Sequence, residues 1–312
     1  MRLWILAYQT GVRRKEFLGA PVISVGNVVA GGTGKTEFVL YLARFLETLG
    51  RRVCVLTRGY GGRRRGIVSS SKLHWGDEAL LLRARLPETP ILTGKDRVKT
   101  GELAIERFNS DVFILDDGFQ YLRLNRDLNI LLIDATNPFG GNRFPPCGLL
   151  REPLSSLSRA DVIVFTRVDQ VDGMRALRRK VERLNPDAPL VSAAYKPLWL
   201  EDHRTQERRS LETLKGREII VFSSIGNPVS FERQLESLGA SLIRNLRFPD
   251  HHFYNRKELG YLRAQSRSYP LVTTEKDGMK LGPDFPCSML KVEMVVLEGR
   301  EILERRVQSI FD

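Results

Sequence analysis

The chain has 312 residues, 42% of them hydrophobic and 28% charged, and 49 Lys and Arg against 37 Asp and Glu give a formal net charge of +12. That length can bury a large core and accommodates two domains, and the composition excludes a disordered chain. Three widely spaced cysteines exclude a disulfide framework or a cysteine metal motif and suit a reducing cytosol, while the basic balance points to nucleic acid, an anionic membrane or a phosphorylated small molecule.

Residues 2–18 can form one helix, with Leu3, Trp4, Leu6, Ala7 and Tyr8 apolar and Arg13, Arg14 and Lys15 following. Aromatic residues beside a basic cluster suit an anionic membrane interface, and a helix packed on the core fits equally well. The segment lacks a small-residue cleavage site, so no cleaved leader is expected, and no apolar stretch reaches the ~20 residues that span a bilayer.

Val22–Val25 reads as a buried parallel strand, and residues 36–49 have the apolar spacing of an amphipathic helix. Between them lies Gly31-Gly-Thr-Gly-Lys-Thr36, the phosphate-binding arrangement of strand, glycine loop and helix N-terminus. Loop amides would surround phosphate oxygens, Lys35 would reach the β- and γ-phosphates, and the Thr36 hydroxyl would ligate Mg²⁺. Val29, Ala30, Gly31, Gly32, Thr33, Gly34, Lys35 and Thr36 are therefore the expected nucleotide-binding residues. Val29 stands where the usual spacing wants glycine, so the loop is a variant.

Val53–Thr57 is a second strand, and its carboxyl end would bring Arg58 toward a nucleotide crevice. The run Arg63–Arg65 reads as phosphate-facing or as a solvated loop. Gly76-Asp-Glu78 opens a helix, and Asp77 and Glu78 suit its positive N-terminus as well as they suit catalysis. Residues 90–93 form a strand leading to Asp96, a carboxylate between Lys95 and Arg97 that either aligns a hydroxyl nucleophile or caps the next helix. Val112–Gln120 is an apolar strand ending in Asp116 and Asp117, the Walker B pattern, whose acids hold Mg²⁺.

Residues 128–133 and 162–166 read as further strands. Between them a proline-rich loop carries Arg151 and Glu152. Phe165-Thr-Arg-Val-Asp169 weakly resembles the base-reading motif of GTPases, and a strand end before a capped helix explains it as well. The pattern loosens over 196–216, read as a linker. Beyond it strands at 218–223, 241–244, 271–274 and 289–296 and helices at 228–238 and 256–266 make a second, smaller α/β unit. There, Asp250 beside His251 can form a proton-handling pair, and Thr273–Asp277 can return polar groups to the site.

The expected fold is a P-loop NTPase-like α/β/α sandwich with a mainly parallel sheet at 1–195, a linker at 196–216 and a C-terminal α/β domain at 217–312. In order, Val25-Gly-Asn27, Gly31–Thr36, Arg58-Gly-Tyr-Gly61, Gly76–Glu78, Asp96-Arg97, Leu115–Gln120, Leu150–Pro153, Phe248–His251 and Thr273–Asp277 resemble the tetraacyldisaccharide 4′-kinase family over nearly the whole chain. The resemblance implies transfer of the ATP γ-phosphate, with Mg²⁺, to the 4′-hydroxyl of a lipid A disaccharide 1-phosphate by a monomeric peripheral protein at the cytoplasmic face of the inner membrane. It implies Asp96 as general base with His251 as its partner, Lys35 and Asp117 as further catalytic residues, and Thr36, Asp116, Asp117 and Glu152 at the metal. Arg58, Asp77, Gln120 and Arg151 are implied in substrate binding.

Three departures accompany the likeness. Glu37 replaces a common proline, Tyr121 replaces a common histidine, and the N-terminal segment is short for the family. A P-loop switch or chaperone-like NTPase is the alternative, but MinD-like members carry lysine where this chain has Ala30. A nucleic-acid-binding role lacks any recognisable motif, so no nucleic-acid partner is expected.

Overall fold

The computed structural model describes Tyr8 and residues 12–59, 65–68 and 75–312. Most of the expected N-terminal helix and of the Arg63–Arg65 run lies outside the described residues. Residues 12–18 are not helical. Glu16 instead bridges to Leu124, its amide donating to the Arg123 carbonyl at 2.8 Å.

The chain forms two compact units, Met1–Ala194 with Met294–Asp312, and Tyr195–Glu293. In the first, β1 (Val22–Gly26), α1 (Lys35–Thr48), β2 (Val53–Thr57), β3 (Gly66–Ile67), α2 (Asp77–Arg85), β4 (Ile91–Thr93), α3 (Arg97–Phe108), β5 (Val112–Asp116), β6 (Leu128–Asp134), β7 (Val162–Thr166) and α4 (Met174–Leu184) lead to β8 (Leu190–Asp202). The strand order is β8-β7-β6-β1-β5-β2-β4-β3, parallel through the described pairings except for antiparallel β3 on β4. Every residue of β1, β2, β5, β6 and β7 is buried. Helices covering both faces of a parallel sheet require such apolar runs. Val181 of α4 packs with Leu131, Ile133, Ile163 and Phe165, while Val98 and Ala104 of α3 pack with Cys54, Leu56, Phe113 and Leu115.

The second unit continues β8 and adds β9 (Arg208–Arg209), β10 (Glu218–Ser223), α5 (Pro228–Ser237), β11 (Ser241–Arg247), α6 (Arg256–Gln265), β12 (Leu271–Thr274), a single turn α7 (Glu275–Gly278) and most of β13 (Ser288–Glu298). Its order is β11-β10-β12-β13-β8, with β9 on β8. Alternate residues of β10 face opposite layers: Ile219 and Val221 meet Phe231 and Leu235 of α5, whereas Ile220 and Phe222 meet Leu262 of α6.

The stretch read as a linker is ordered. Residues 196–202 complete β8, and a 3₁₀ turn at Leu211–Leu214 follows β9. The last residues of β13 and the helix α8 (Arg300–Gln308) return to the first unit. No helix among the described residues is long and apolar enough to cross a membrane.

Candidate functional site

Parallel strands end at one edge, where an open α/β sheet builds its ligand crevice. β1 lies between β5 and β6, and its register pairs Val25 with Asp116, bringing the phosphate loop and the acidic strand end together. Gly26 is sterically required: a Cβ there would lie 2.7 Å from the Phe119 backbone nitrogen. Gly31 and Gly34 adopt φ of 113° and 93°, which side chains disfavour. Gly34 precedes α1 without a side-chain cap, so the first helical amides and the helix dipole are suited to an anion. Asn27 donates to Thr33 Oγ1 at 2.8 Å and ties the two ends of the loop.

Val29 and Ala30 were expected in the phosphate cradle. Val29 forms an antiparallel bridge to Leu150, and the Ala30 amide donates to the Leu149 carbonyl at 2.7 Å. Val29 is buried in the apolar cluster containing Leu150 and Phe139. This packing accounts for the missing glycine.

The two acids differ sharply. Asp116 is buried, and one of its carboxylate oxygens has no hydrogen-bond partner. Burial, then Glu78 and Asp117, push its pKa up to about 7. Asp117 adopts φ of 53° and turns toward cations. Lys35 Nζ lies 3.4 Å from Asp117 Oδ1, and Arg151 Nη1 donates to Oδ1 and Oδ2 at 2.8 and 2.9 Å. Burial raises the Asp117 pKa, but Lys35 and Arg151 outweigh it and hold the group down at about 2.

Arg151 also donates to Gln120 Oε1 at 3.3 Å, and Gln120 Nε2 donates to the Asn27 carbonyl at 2.8 Å and to Glu152 Oε1 at 3.0 Å. Arg159 holds the other Glu152 oxygen at 2.7 Å. Glu152, expected at the metal, is thus a fully buried acceptor that fixes Gln120. Among the described residues no three His, Cys, Asp or Glu side chains form a metal-binding group. The unpartnered oxygen on buried Asp116 still fits a cation. Arg159 gave no sequence signal beyond being basic.

Asp96 caps α3, accepting from the Lys99 amide at 3.3 Å, and its other oxygen takes Arg123 Nη1 at 3.0 Å. Slight burial raises its pKa, but the Lys99 amide and Arg123 bring the net value down, so the carboxylate is ionised at neutral pH. Tyr121 accepts from the Arg97 amide at 3.1 Å, and the Arg97 guanidinium lies 4.6 Å above its ring. Burial, with a smaller contribution from the exposed Arg58, lowers the Arg97 pKa. Asp77 is buried in the first turn of α2 and accepts from the Glu78 amide at 2.9 Å.

In the second unit His251 has φ of 60°, and its Nε2 lies 3.8 Å from Asp250 Oδ2. Lys276 Nζ is 3.8 Å from the other Asp250 oxygen. The loop rests on a hub centred on Asp277. Buried Asp277 accepts from the Ser224 amide at 3.1 and 3.0 Å, Tyr254 Oη at 3.0 Å, Thr274 Oγ1 at 2.7 Å and Lys280 Nζ at 3.2 Å. The Ser224 carbonyl accepts the His251 amide at 3.2 Å. Asp277, the last of the polar run read as able to return groups to the site, is buried in this hub.

A parallel sheet, a glycine loop opening a helix at Lys35-Thr36 and paired acids on the neighbouring strand define a P-loop nucleotide-binding protein. Residues 1–311 match the family described as tetraacyldisaccharide-1-P 4′-kinase, and the chain belongs to that family. Tetraacyldisaccharide 4′-kinase of Syntrophus aciditrophicus is 41% identical over 314 residues, covering 93% of this chain and 84% of that one. Its counterpart in Geobacter sulfurreducens is 39% identical over 322 residues, covering 100% and 89%. A crystal structure of LpxK from Aquifex aeolicus in complex with ATP matches with a TM-score of 0.77 and 32% identity, covering 100% of this chain and 95% of that one. Family membership favours the kinase over the switch-protein alternative.

Proposed function

We propose that the protein transfers the γ-phosphoryl group of ATP to the 4′-hydroxyl of a tetraacylated glucosamine disaccharide 1-phosphate, with the chain's own residues in the following roles. The observation that carries the reading is Lys35 and Arg151 converging on Asp117 beside buried Asp116, at the end of the strand that abuts the phosphate loop. Phosphoryl transfer depends on positioning and charge neutralisation more than on covalent help. Amides at the start of α1 and Lys35 bind the donor phosphates. Thr36 and Asp116, with Asp117 adjacent, would hold Mg²⁺, which when bound neutralises phosphate charge.

The hydroxyl oxygen attacks the γ-phosphorus, the bond to the β–γ bridging oxygen breaks, and ADP leaves. Asp96 accepts a hydrogen bond from the hydroxyl and receives its proton. Its lowered pKa makes it a better aligner than proton store. His251, with Asp250 beside it, is the second proton-handling group. Arg58, Asp77, Gln120 and Arg151 belong to acceptor recognition, with Gln120 held for that task by Glu152 and Arg159.

The same reading places the protein, as a monomer, on the cytoplasmic face of the inner membrane. Its support is the +12 net charge and the exposed Val12 and Phe17 flanking Arg13, Arg14 and Lys15. The deciding experiment supplies γ-labelled ATP with and without the lipid disaccharide 1-phosphate. Label should move to the 4′-position only with acceptor present, and ATP turnover indifferent to acceptor would overturn the proposal. Sedimentation with anionic vesicles checks the membrane part: binding equal to that on neutral vesicles would refute it.

A further inference from the structure

The kinase reading leaves Phe165-Thr-Arg-Val-Asp169, at the end of β7, without a task. Two of its side chains reach the back of the phosphate loop. Thr166 Oγ1 donates to the Thr33 carbonyl at 2.9 Å, and Arg167 Nη1 donates to the Gly32 carbonyl at 3.0 Å. Both residues are buried, and the Arg167 guanidinium is anchored by Asp134 Oδ2 at 2.5 Å. Asp134 is in turn fixed by the Thr136 amide at 3.0 Å and its hydroxyl at 2.7 Å. Asp169, which a base-reading motif would employ, is exposed.

These bonds act on the loop's amides through peptide geometry. A trans peptide points its carbonyl and its N–H to opposite sides. Drawing the Thr33 carbonyl toward Thr166 therefore turns the Gly34 N–H away from β7, at the residue just before α1. The Thr33 amide itself donates to the Gly31 carbonyl at 3.1 Å. Arg167 holds a φ of 56°, a left-handed conformation that glycine would adopt at lower cost. An arginine kept there, buried and bonded to a loop carbonyl, is placed for its side chain.

We infer that Thr166 and Arg167, the latter through Asp134, are positioning residues that hold the phosphate loop in its anion-binding form and so set the affinity for the nucleotide. The inference rests on the reading of that loop as the ATP site. Neither side chain touches the reacting atoms. Their loss therefore acts on nucleotide binding and spares acceptor binding.

The test uses the full chain with Thr166→Val, which keeps the shape and removes the donor, and Arg167→Lys, which keeps a cation beside Asp134. Dissociation constants for ATP and ADP with Mg²⁺ are measured by calorimetry, with KM for each substrate, kcat and melting temperature alongside. Each variant should weaken nucleotide binding and raise the ATP KM about tenfold, the scale of one lost loop-directing hydrogen bond. The acceptor KM should stay at the wild-type value. The double variant should lose less than the product of the single losses, because both residues hold one loop.

A folded variant that binds nucleotide as the wild type does overturns the inference, as does a loss confined to kcat. A merely structural role would lower the melting temperature without moving the nucleotide constants, and that result also overturns it. If Arg167→Lys does not fold, Thr166→Val decides alone. Wild-type protein that binds no ATP would overturn the reading of the loop together with the inference, whereas normal wild-type binding with unaltered variants overturns the inference alone.

Discussion

Replacing Asp116 by Asn should make the magnesium-free protein more stable above neutral pH. The carboxyl is raised from 3.8 to about 7, first by burial and then by Glu78 and Asp117. The native chain therefore holds this proton more tightly than the unfolded chain does. The resulting stability is complete below about pH 4 and is lost as pH rises through about 7. Roughly three pKa units at 1.36 kcal/mol each give a penalty of ~4 kcal/mol for the ionised form. Relaxation around a buried carboxylate recovers roughly half of this, leaving ~2 kcal/mol.

An amide does not titrate, so the Asn variant escapes that loss. In a unit of this size its melting temperature should exceed the wild-type value by about 4–8 °C at about pH 8.5. The gap should close toward about pH 4. The assay is thermal unfolding in chelator at about pH 4.5 and about pH 8.5. Mg²⁺ with ATP should then reverse the order, because ligand stabilises the state that binds it. A gap between variant and wild type that is the same at both pH values would refute the reasoning.

Asp96→Asn retains a good helix cap and removes the charge; turnover should fall by about 10²–10⁴-fold with melting shifted little, and near-normal turnover would exclude the base role. Gly26→Ala drives a methyl into the Phe119 backbone and should cost ~1–3 kcal/mol in urea unfolding. Asp277→Ala leaves buried Lys280 without its carboxylate and should cost about 3–5 kcal/mol by the same measurement. Tyr121→Phe removes the acceptor for the Arg97 amide, and unfolding should register a loss of about 1 kcal/mol.

The sheet was legible because its central strands are short apolar runs, a pattern that burial on both faces demands. The spacing of Lys35, Thr36, Asp116 and Asp117 could be read because phosphate and Mg²⁺ chemistry confines those residue types to fixed spacings, and the β1–β5 register brings the loop and the acids together. Residues 196–202 were not: Pro197 and mixed polarity argue against a strand, although β8 runs through them. Charge partners were also hidden. Nothing local shows that Glu152 pairs with Gln120, since that contact arises only when separate loops converge. The runs holding Arg167 and Asp277 stood out, but their bonds to Gly32 and Ser224 did not, because those partners lie far away in sequence.

Strands β8 and β13 carry the chain out of the first unit and back into it. The second unit is therefore an insertion, and it can be finished by residue 293 while the first still lacks Met294–Asp312. Leu303 and Val307, buried on α8, belong to that late segment. At about 5–20 residues per second, the phosphate loop emerges early in synthesis and waits for the final helix to complete its own unit. A chain stalled or truncated before that helix would carry every residue placed here at the donor and acceptor sites. It would still lack the last piece of the unit that carries all of them but His251.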